Sequence, residues 1–531
     1  MIDLDFSQPY ASRRSPLLAR NVVSTSQPLA AQAGLCMLQA GGNAVDAVLA
    51  AAITLPVVEP SGNGLGSDAF AILWDGERLH GLNASGRSPG AWTPERFAGC
   101  DAMPTRGWDS VTVPGAVSAW VALSERFGKL PFERLFEPAI GYARAGYPVS
   151  PVIASLWARA AETLHEQPGW ADCFMPAGRA LRAGEVFRSE AMARSLELIA
   201  ESRGEAFYRG ELAGRMVAHG REHGAAMTLD DLAGHRADWC GTVAAPYRGL
   251  ELHEIPPNGQ GLAACIALGI LKHLDLAGCP VDSPDSLHLQ IEAMKLALAD
   301  IHAYVADPDA MPFPASRLLD EDYLASRATL VDRREARVPD YGVPPAGGTV
   351  YLTAADSEGW MVSYIQSNYM GFGSGVVVPD TGISLQNRGA GFVLTPDHPN
   401  RVGPAKRPFH TIIPGFLMQG DKPLMSFGVM GGPMQAQGHV QMTVRLRDYG
   451  QNPQAASDAP RWRVLGDNRV AVETALPLET VQALEARGHH ISREPPETAF
   501  GFGGAQLILR MPDGHYCAGS DHRKDGQAVG F

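Results

Sequence analysis

The texture of this 531-residue sequence changes at one point, and that change limits what the chain can fold into. Before it, the periodic stretches are mostly helical. Residues 26–40 keep an i, i+3, i+4 apolar spacing, open on Ser26 as a cap and stop at Gly41-Gly42. Asn43 caps a second predicted helix over 44–55. A third spans 110–127, with Pro114 in its first turn and Gly128 at its end, and residues 286–303 form the most regular one. From about 312 to 348 the pattern decays into charged, proline-rich sequence that includes V-D-R-R-E-A-R-V-P-D-Y-G-V-P-P. Then Gly347-Gly348 runs into Thr349, and T-V-Y-L-T-A-A-D-S-E-G-W-M-V-S-Y-I-Q-S reads as strand, turn, strand. More strands are predicted over 382–387, 410–418 and 424–430, and a helix over 434–449. No internal repeat or low-complexity tract occurs.

Totals narrow the function class. At 45% hydrophobic and 19% charged, the composition is that of a globular protein with a large core. A net charge of -13 argues against a nucleic-acid surface and for a small solute or a protein partner. The seven cysteines (Cys36, Cys100, Cys173, Cys240, Cys265, Cys279 and Cys517) are odd in number, widely spaced and without C-x-x-C, so they read as buried reduced thiols in a cytoplasmic protein. The first residues show no secretory pattern. The longest apolar run, residues 44–58, is interrupted by an aspartate and reads as a buried helix, with no membrane partner implied. In V-V-E-P-S-G-N-G-L-G-S-D-A-F the glycines precede the strand 70–74 instead of following one, which favours a tight turn over a phosphate cradle. No histidine pattern of the H-E-x-x-H kind appears, so neither a metal nor another cofactor is expected.

Thr349 raises a chemical question. A threonine hydroxyl needs a base to become a nucleophile. If Thr349 is the first residue of a chain, its own α-amine supplies one. That amine has a reference pKa near 7.7–8.0, matched to neutral operating pH. Exposing it requires cleavage between Gly348 and Thr349, where glycine leaves the carbonyl uncrowded.

Other stretches join this one in a consistent order: L-Q-A-G-G-N-A-V-D-A-V-L-A, the V-V-E-P-S-G-N-G segment, V-P-G-A-V-S-A-W, I-P-P-N-G-Q-G-L, E-A-M-K-L-A-L-A-D with A-D-P-D, T-V-Y-L-T-A-A-D-S-E-G, G-F-G-S-G, G-I-S-L-Q-N, G-P-A-K-R-P, G-V-M-G-G-P and A-G-S-D-H-R. Over nearly its whole length the chain resembles the gamma-glutamyltransferase family of N-terminal-nucleophile hydrolases. The resemblance implies an α+β fold, a four-layer αββα sandwich. It also implies one precursor that cleaves itself into a large subunit, 1–348, and a small subunit, 349–531, which share one compact domain. A dimer of such heterodimers is one assembly open to it. The resemblance assigns Thr349 as nucleophile, Ser367 in Y-I-Q-S-N-Y as the hydroxyl beside its amine, and the N–H groups of Gly431 and Gly432 as the oxyanion site.

Departures from the family pattern direct the substrate expectation. Gly391 stands where gamma-glutamyl enzymes carry an aspartate for the substrate ammonium, and Ala390 precedes it. His410 and Thr411 replace a serine pair, Ser85 takes the slot of an arginine clamp with Arg87 two residues on, and the lid segment 392–403 is short. An ammonium buried without a partner costs several kcal/mol, whereas an arginine fork suits a carboxylate. The expected substrate-binding set is therefore Arg87, Arg388, Tyr369, His410 and Thr411, around a small anionic amide. The oxamate amidohydrolase branch, which serves purine-derived nitrogen recycling, is the most similar in Y-I-Q-S-N-Y-M-G-F-G-S-G. A glutathione hydrolase or transpeptidase, a cephalosporin-type acylase and an uncleaved non-catalytic relative are the alternatives.

Overall fold

A computed structural model describes residues 13–276, 278–339, 348–496, 498 and 501–531. Two seven-stranded sheets form its centre. The first runs Gln527–Gly530, Val22–Thr25, Gly348–Ala355, Met361–Tyr369, Asp68–Trp74, Leu79–Asn83, Asp238–Trp239. The second runs Leu17–Ala19, Tyr516–Ser520, Gly504–Arg510, Lys422–Met430, Gly415–Gln419, Leu250–Glu254, Val243–Tyr247. Each sheet draws strands from both sides of residue 349. Every ladder within the two sheets is antiparallel.

Side-chain alternation along the strands sorts residues into layers. In Gly348–Ala355, Val350, Leu352 and Ala354 pack outward in the same apolar cluster as the helix Ala44–Val58. Tyr351 and Ala355 point inward and meet Phe416, Met430 and Ile508 of the second sheet. Polar contacts cross the same seam: Thr353 Oγ1 lies 2.7 Å from Ser426 Oγ. Beyond the second sheet, Gly261–Leu271, Pro284–Tyr304 and Met434–Arg447 close a further cluster with Phe427 and Val429. The order helix, sheet, sheet, helix is the αββα sandwich that the resemblance implies.

All fifteen residues of Ala44–Val58 are buried, which explains why the run is apolar on every face. Its start is a capping box: Asn43 Oδ1 accepts from Val45 N and Asp46 N, and Asp46 Oδ2 accepts from Asn43 N. In the helix before it, Pro28–Gln39, the cap is Gln27 and not Ser26, whose hydroxyl donates to Glu59. Pro114 lies outside the helix Ala116–Phe127, which Gly115 precedes.

The expected decay of order after residue 312 holds only in part. Ala315–Leu319 is a 3-10 turn and Glu321–Ala328 a helix capped by Asp320. Residues 332–337 are tied down by a buried polar cluster in which Lys295 Nζ meets Glu292 at 2.5 Å, the Arg337 carbonyl at 2.5 Å and Asn468 at 2.7 Å. Residues 340–347 lie outside the described residues. The cysteines are free but not uniformly buried: Cys265 and Cys517 are, whereas Cys36, Cys100 and Cys240 are exposed. Apolar neighbours in sequence did not guarantee burial, because Cys36 falls on the outer face of its helix. Among the described residues, no helix is long and apolar enough to cross a membrane.

Candidate active site

Thr349 lies at the start of a central strand, fully buried, facing the seam between the sheets. Its partner strand carries a bulge at that point. Gly348 pairs with Tyr369 and Val350 with Gln366, so Ser367 and Asn368 together oppose Thr349. Bulges of this kind re-aim side chains near active sites. Here the result is Ser367 Oγ at 3.1 Å from Thr349 Oγ1, with Ser367 Oγ also accepting the Tyr369 N–H at 2.8 Å. The glycine-rich segment 61–66 runs close to this strand. A Cβ on Gly62 would come within 2.9 Å of Val350 Cγ1 and 3.2 Å of the Thr349 carbonyl oxygen, so the tight-turn assignment has a steric cause.

The turn between Lys422–Met430 and Met434–Arg447 brings up the other half. Gly431 and Gly432 have φ of +128° and +60°, and Pro433 offers the helix start no side-chain cap. Among the described residues, neither glycine N–H meets an acceptor. They are free donors at a helix N-terminus, where negative charge is favoured. Gln260 Nε2 holds the turn by donating to the Gly432 carbonyl at 2.9 Å and the Thr411 carbonyl at 2.5 Å. One residue into the helix stands a group that motif comparison did not single out. Gln435 Nε2 donates to Thr349 Oγ1 at 3.2 Å, and its Oε1 accepts from Ile413 N at 3.0 Å.

Of the five expected substrate-binding residues, four gather and one does not. Arg388, 1% exposed, sits in a 3-10 turn, Arg388–Gly391, and not at a strand end. Its guanidinium lies 4.6 Å from the Tyr369 ring centroid and donates through Nη1 to Thr411 Oγ1 at 2.9 Å. Among the described residues its Nε and Nη2 have no acceptor. Burial pushes its pKa down to about 10. Arg87, in contrast, is 41% exposed at its side chain and engages Asp307 at 2.9 Å and the Ala405 carbonyl at 3.2 Å. It braces the 403–408 loop and makes no contact with the Thr349 group.

His410 brings in Asp68, which sequence inspection around residue 391 did not reach. Its carboxylate lies 3.1 Å from His410 Nε2 and accepts from Gly86 N and Gly115 N. Burial raises the Asp68 pKa to about 7, while burial and the neighbouring Arg388 and Arg407 hold His410 well below 6.5. The contact is therefore a hydrogen bond to a neutral imidazole and not an ion pair. Because the folded pKa of Asp68 lies above its unfolded value, its contribution to stability is full at acid pH and is lost as pH rises through 7. The stretch around Gly391 provides no carboxylate, and a Cβ there would sit 2.5 Å from the Phe409 oxygen. The short 392–403 segment closes on itself through a Val393–Arg401 bridge and packs Phe392 and Val402 on Trp92.

Two other features are separate from this group. His288, Glu292 and His489 come within ligand-like distance of one another, but the ammonium of Lys295 already sits on Glu292. A hollow of about 430 Å³ beside the helix Pro284–Tyr304 is lined by none of the residues around Thr349.

Comparison with known proteins agrees with the geometry. The gamma-glutamyltranspeptidase family profile matches residues 30–531. The chain is 37% identical over 526 residues to the glutathione hydrolase-like YwrD proenzyme of Bacillus subtilis, covering 98% of this chain and 100% of that one. It is 36% identical over 517 residues to the oxamate amidohydrolase proenzyme of Klebsiella pneumoniae, covering 95% and 97%. The crystal structure of cephalosporin acylase from Bacillus halodurans superposes with a TM-score of 0.94 at 47% identity, over 100% of this chain and 99% of that one. The chain therefore belongs to the gamma-glutamyltranspeptidase family of N-terminal-nucleophile hydrolases.

Proposed function

We propose that this protein is a self-cleaving amidohydrolase whose nucleophile is Thr349 and whose substrate is a small amide carrying a carboxylate. In maturation, Thr349 Oγ attacks the Gly348 carbonyl carbon, the peptide C–N bond breaks, and water hydrolyses the resulting ester. This leaves Gly348 as a carboxylate and Thr349 with a free α-amine. In turnover the same oxygen attacks the substrate amide and its proton passes through that amine to the leaving nitrogen. Gly431 and Gly432 N–H groups receive the oxyanion, and water then releases the acid. The large subunit is 1–348 and the small one 349–531, a cytoplasmic pair that needs no metal or other cofactor.

The observation that carries the substrate class is the half-paired guanidinium of Arg388, buried beside Thr349's strand with two donor atoms unanswered among the described residues. A substrate carboxylate completes that fork. An amino-acid head group fits less well, since Asp68, the carboxylate next to Arg388, is already bound to His410 and two backbone N–H groups. Oxamate and related monoamides of dicarboxylic acids have the required form. The likeness to the Bacillus halodurans acylase favours a second reading, in which the same anion site holds the carboxylate of a larger acyl side chain.

Ammonia or amine release over a panel of oxamate, longer monoamides, a glutaryl amide and a γ-glutamyl anilide decides between them. Oxamate-like monoamides are expected to give the highest kcat/KM, and a γ-glutamyl compound that outruns them all would overturn the assignment. The site also predicts a pH effect. Ionising Asp68 places a negative charge beside Arg388, so KM for an anionic amide is expected to rise as pH climbs through about 7. Asp68→Asn should flatten that rise, and a KM profile equally steep in the variant would remove Asp68 as its source.

A further inference from the structure

We propose that Gln435 is a catalytic residue, the donor that stabilises Thr349 Oγ each time this oxygen gains charge or departs. The inference rests on Thr349 being the nucleophile, as proposed above, and adds a group to the reaction.

The orientation of the Gln435 amide follows from its partners. The Ile413 N–H can only donate, so the Gln435 atom facing it at 3.0 Å is the oxygen. The atom facing Thr349 Oγ1 at 3.2 Å is then the nitrogen, and it can only donate. Gln435 is fully buried in the first turn of Met434–Arg447, so water does not compete for either contact. With one lone pair of Oγ1 engaged by this donor, the threonine proton must point elsewhere, and Ser367 Oγ lies 3.1 Å away.

The amide acts on both chemical steps. In acylation the Oγ–carbonyl bond forms, the threonine proton moves to the α-amine and on to the leaving nitrogen, and the C–N bond breaks. In deacylation water adds, the C–Oγ bond breaks and Oγ regains its proton from the amine. A donor on Oγ lowers the basicity of the attacking oxygen as it loses its proton and of the leaving oxygen as it departs. An amide does so without titrating, so it never competes with the α-amine for the proton.

Two variants separate this role from packing. Gln435→Glu keeps an acceptor for Ile413 N–H but loses the donor when ionised. Gln435→Met removes both and adds no charge. Self-cleavage half-time, kcat, kcat/KM against pH and the thermal midpoint are measured for each beside the parent. Both variants are expected to slow cleavage and to lower kcat roughly 10- to 10²-fold. For Gln435→Glu the ratio to the parent should narrow as pH falls and the new carboxyl gains a proton to donate. For Gln435→Met it should stay constant with pH. If Gln435→Glu fails to fold, the Gln435→Met kcat decides alone. A kcat within twofold of the parent in Gln435→Met, or a pH-independent ratio in a folded Gln435→Glu, overturns the proposal. N-terminal sequencing of the parent keeps the two levels apart. No new terminus at Thr349 defeats the nucleophile assignment itself, whereas that terminus together with unimpaired variants defeats only this inference.

Discussion

Thr349→Ala is expected to leave the chain uncut and inactive: one band on a denaturing gel where the parent gives two, and ammonia release at least roughly 10³-fold lower. The variant should still fold. Removing the hydroxyl takes the acceptor from Gln435 Nε2 and a partner from Ser367 Oγ, a loss of about 1 kcal/mol against a core of three large apolar clusters. Thermal melting and gel analysis of the same preparation check both halves. A Thr349→Ala protein that still splits at this position would show that the hydroxyl is not the attacking group.

The second large effect runs in opposite directions for activity and stability. Among the described residues, Arg388 is a buried cation with one side-chain hydrogen bond, to Thr411, and a face against Tyr369. Keeping a charge so poorly answered out of water costs several kcal/mol. Arg388→Met fills similar space without the charge and is expected to raise the thermal midpoint of the ligand-free protein, by about 1–3 kcal/mol of stability. The same change should reduce kcat/KM for carboxylated amides by roughly 10²–10³-fold, since a charge-assisted bidentate contact is worth about 2–4 kcal/mol. A neutral amide of the same size should be turned over little differently by the two proteins. Equal losses on neutral and anionic amides, with a lower midpoint, would make Arg388 a packing residue.

These two residues also mark what local pattern can and cannot reveal. The proposed catalytic set, Thr349, Ser367 and the Gly431-Gly432 pair, stands in short motifs on one hairpin and one strand-to-helix turn, so neighbours in sequence suggest it. The Gly348–Ala355 and Met361–Tyr369 strands were visible for the same reason, with turn residues and β-branched runs side by side. Asp68 and Gln435 were not visible. Asp68 meets His410 across 342 positions because Asp68–Trp74 pairs with Met361–Tyr369, and no local pattern encodes that sheet order. Gln435 looks like an ordinary helix residue until the fold sets Ile413 and Thr349 on either side of it. Arg87 shows the opposite case. Its place in the motif suggested an anion clamp, but Asp307, far along the chain, claims its guanidinium.

The interleaving of the two sheets sets the order of events in this molecule's life. Val22–Thr25 and Gln527–Gly530 lie on one side of Gly348–Ala355, and Met361–Tyr369 with Asp68–Trp74 on the other. While the chain is continuous, these ladders close as loops within one molecule. After the scission proposed before Thr349 they would have to be found again between two separate polypeptides, without the tether that had kept them at high local concentration. Assembly must therefore come first, and the cut makes it hard to repeat. A particle cut there that once melts would have lost the covalent memory of its partner, so its lifetime would depend on the height of the unfolding barrier more than on the depth of the folded well.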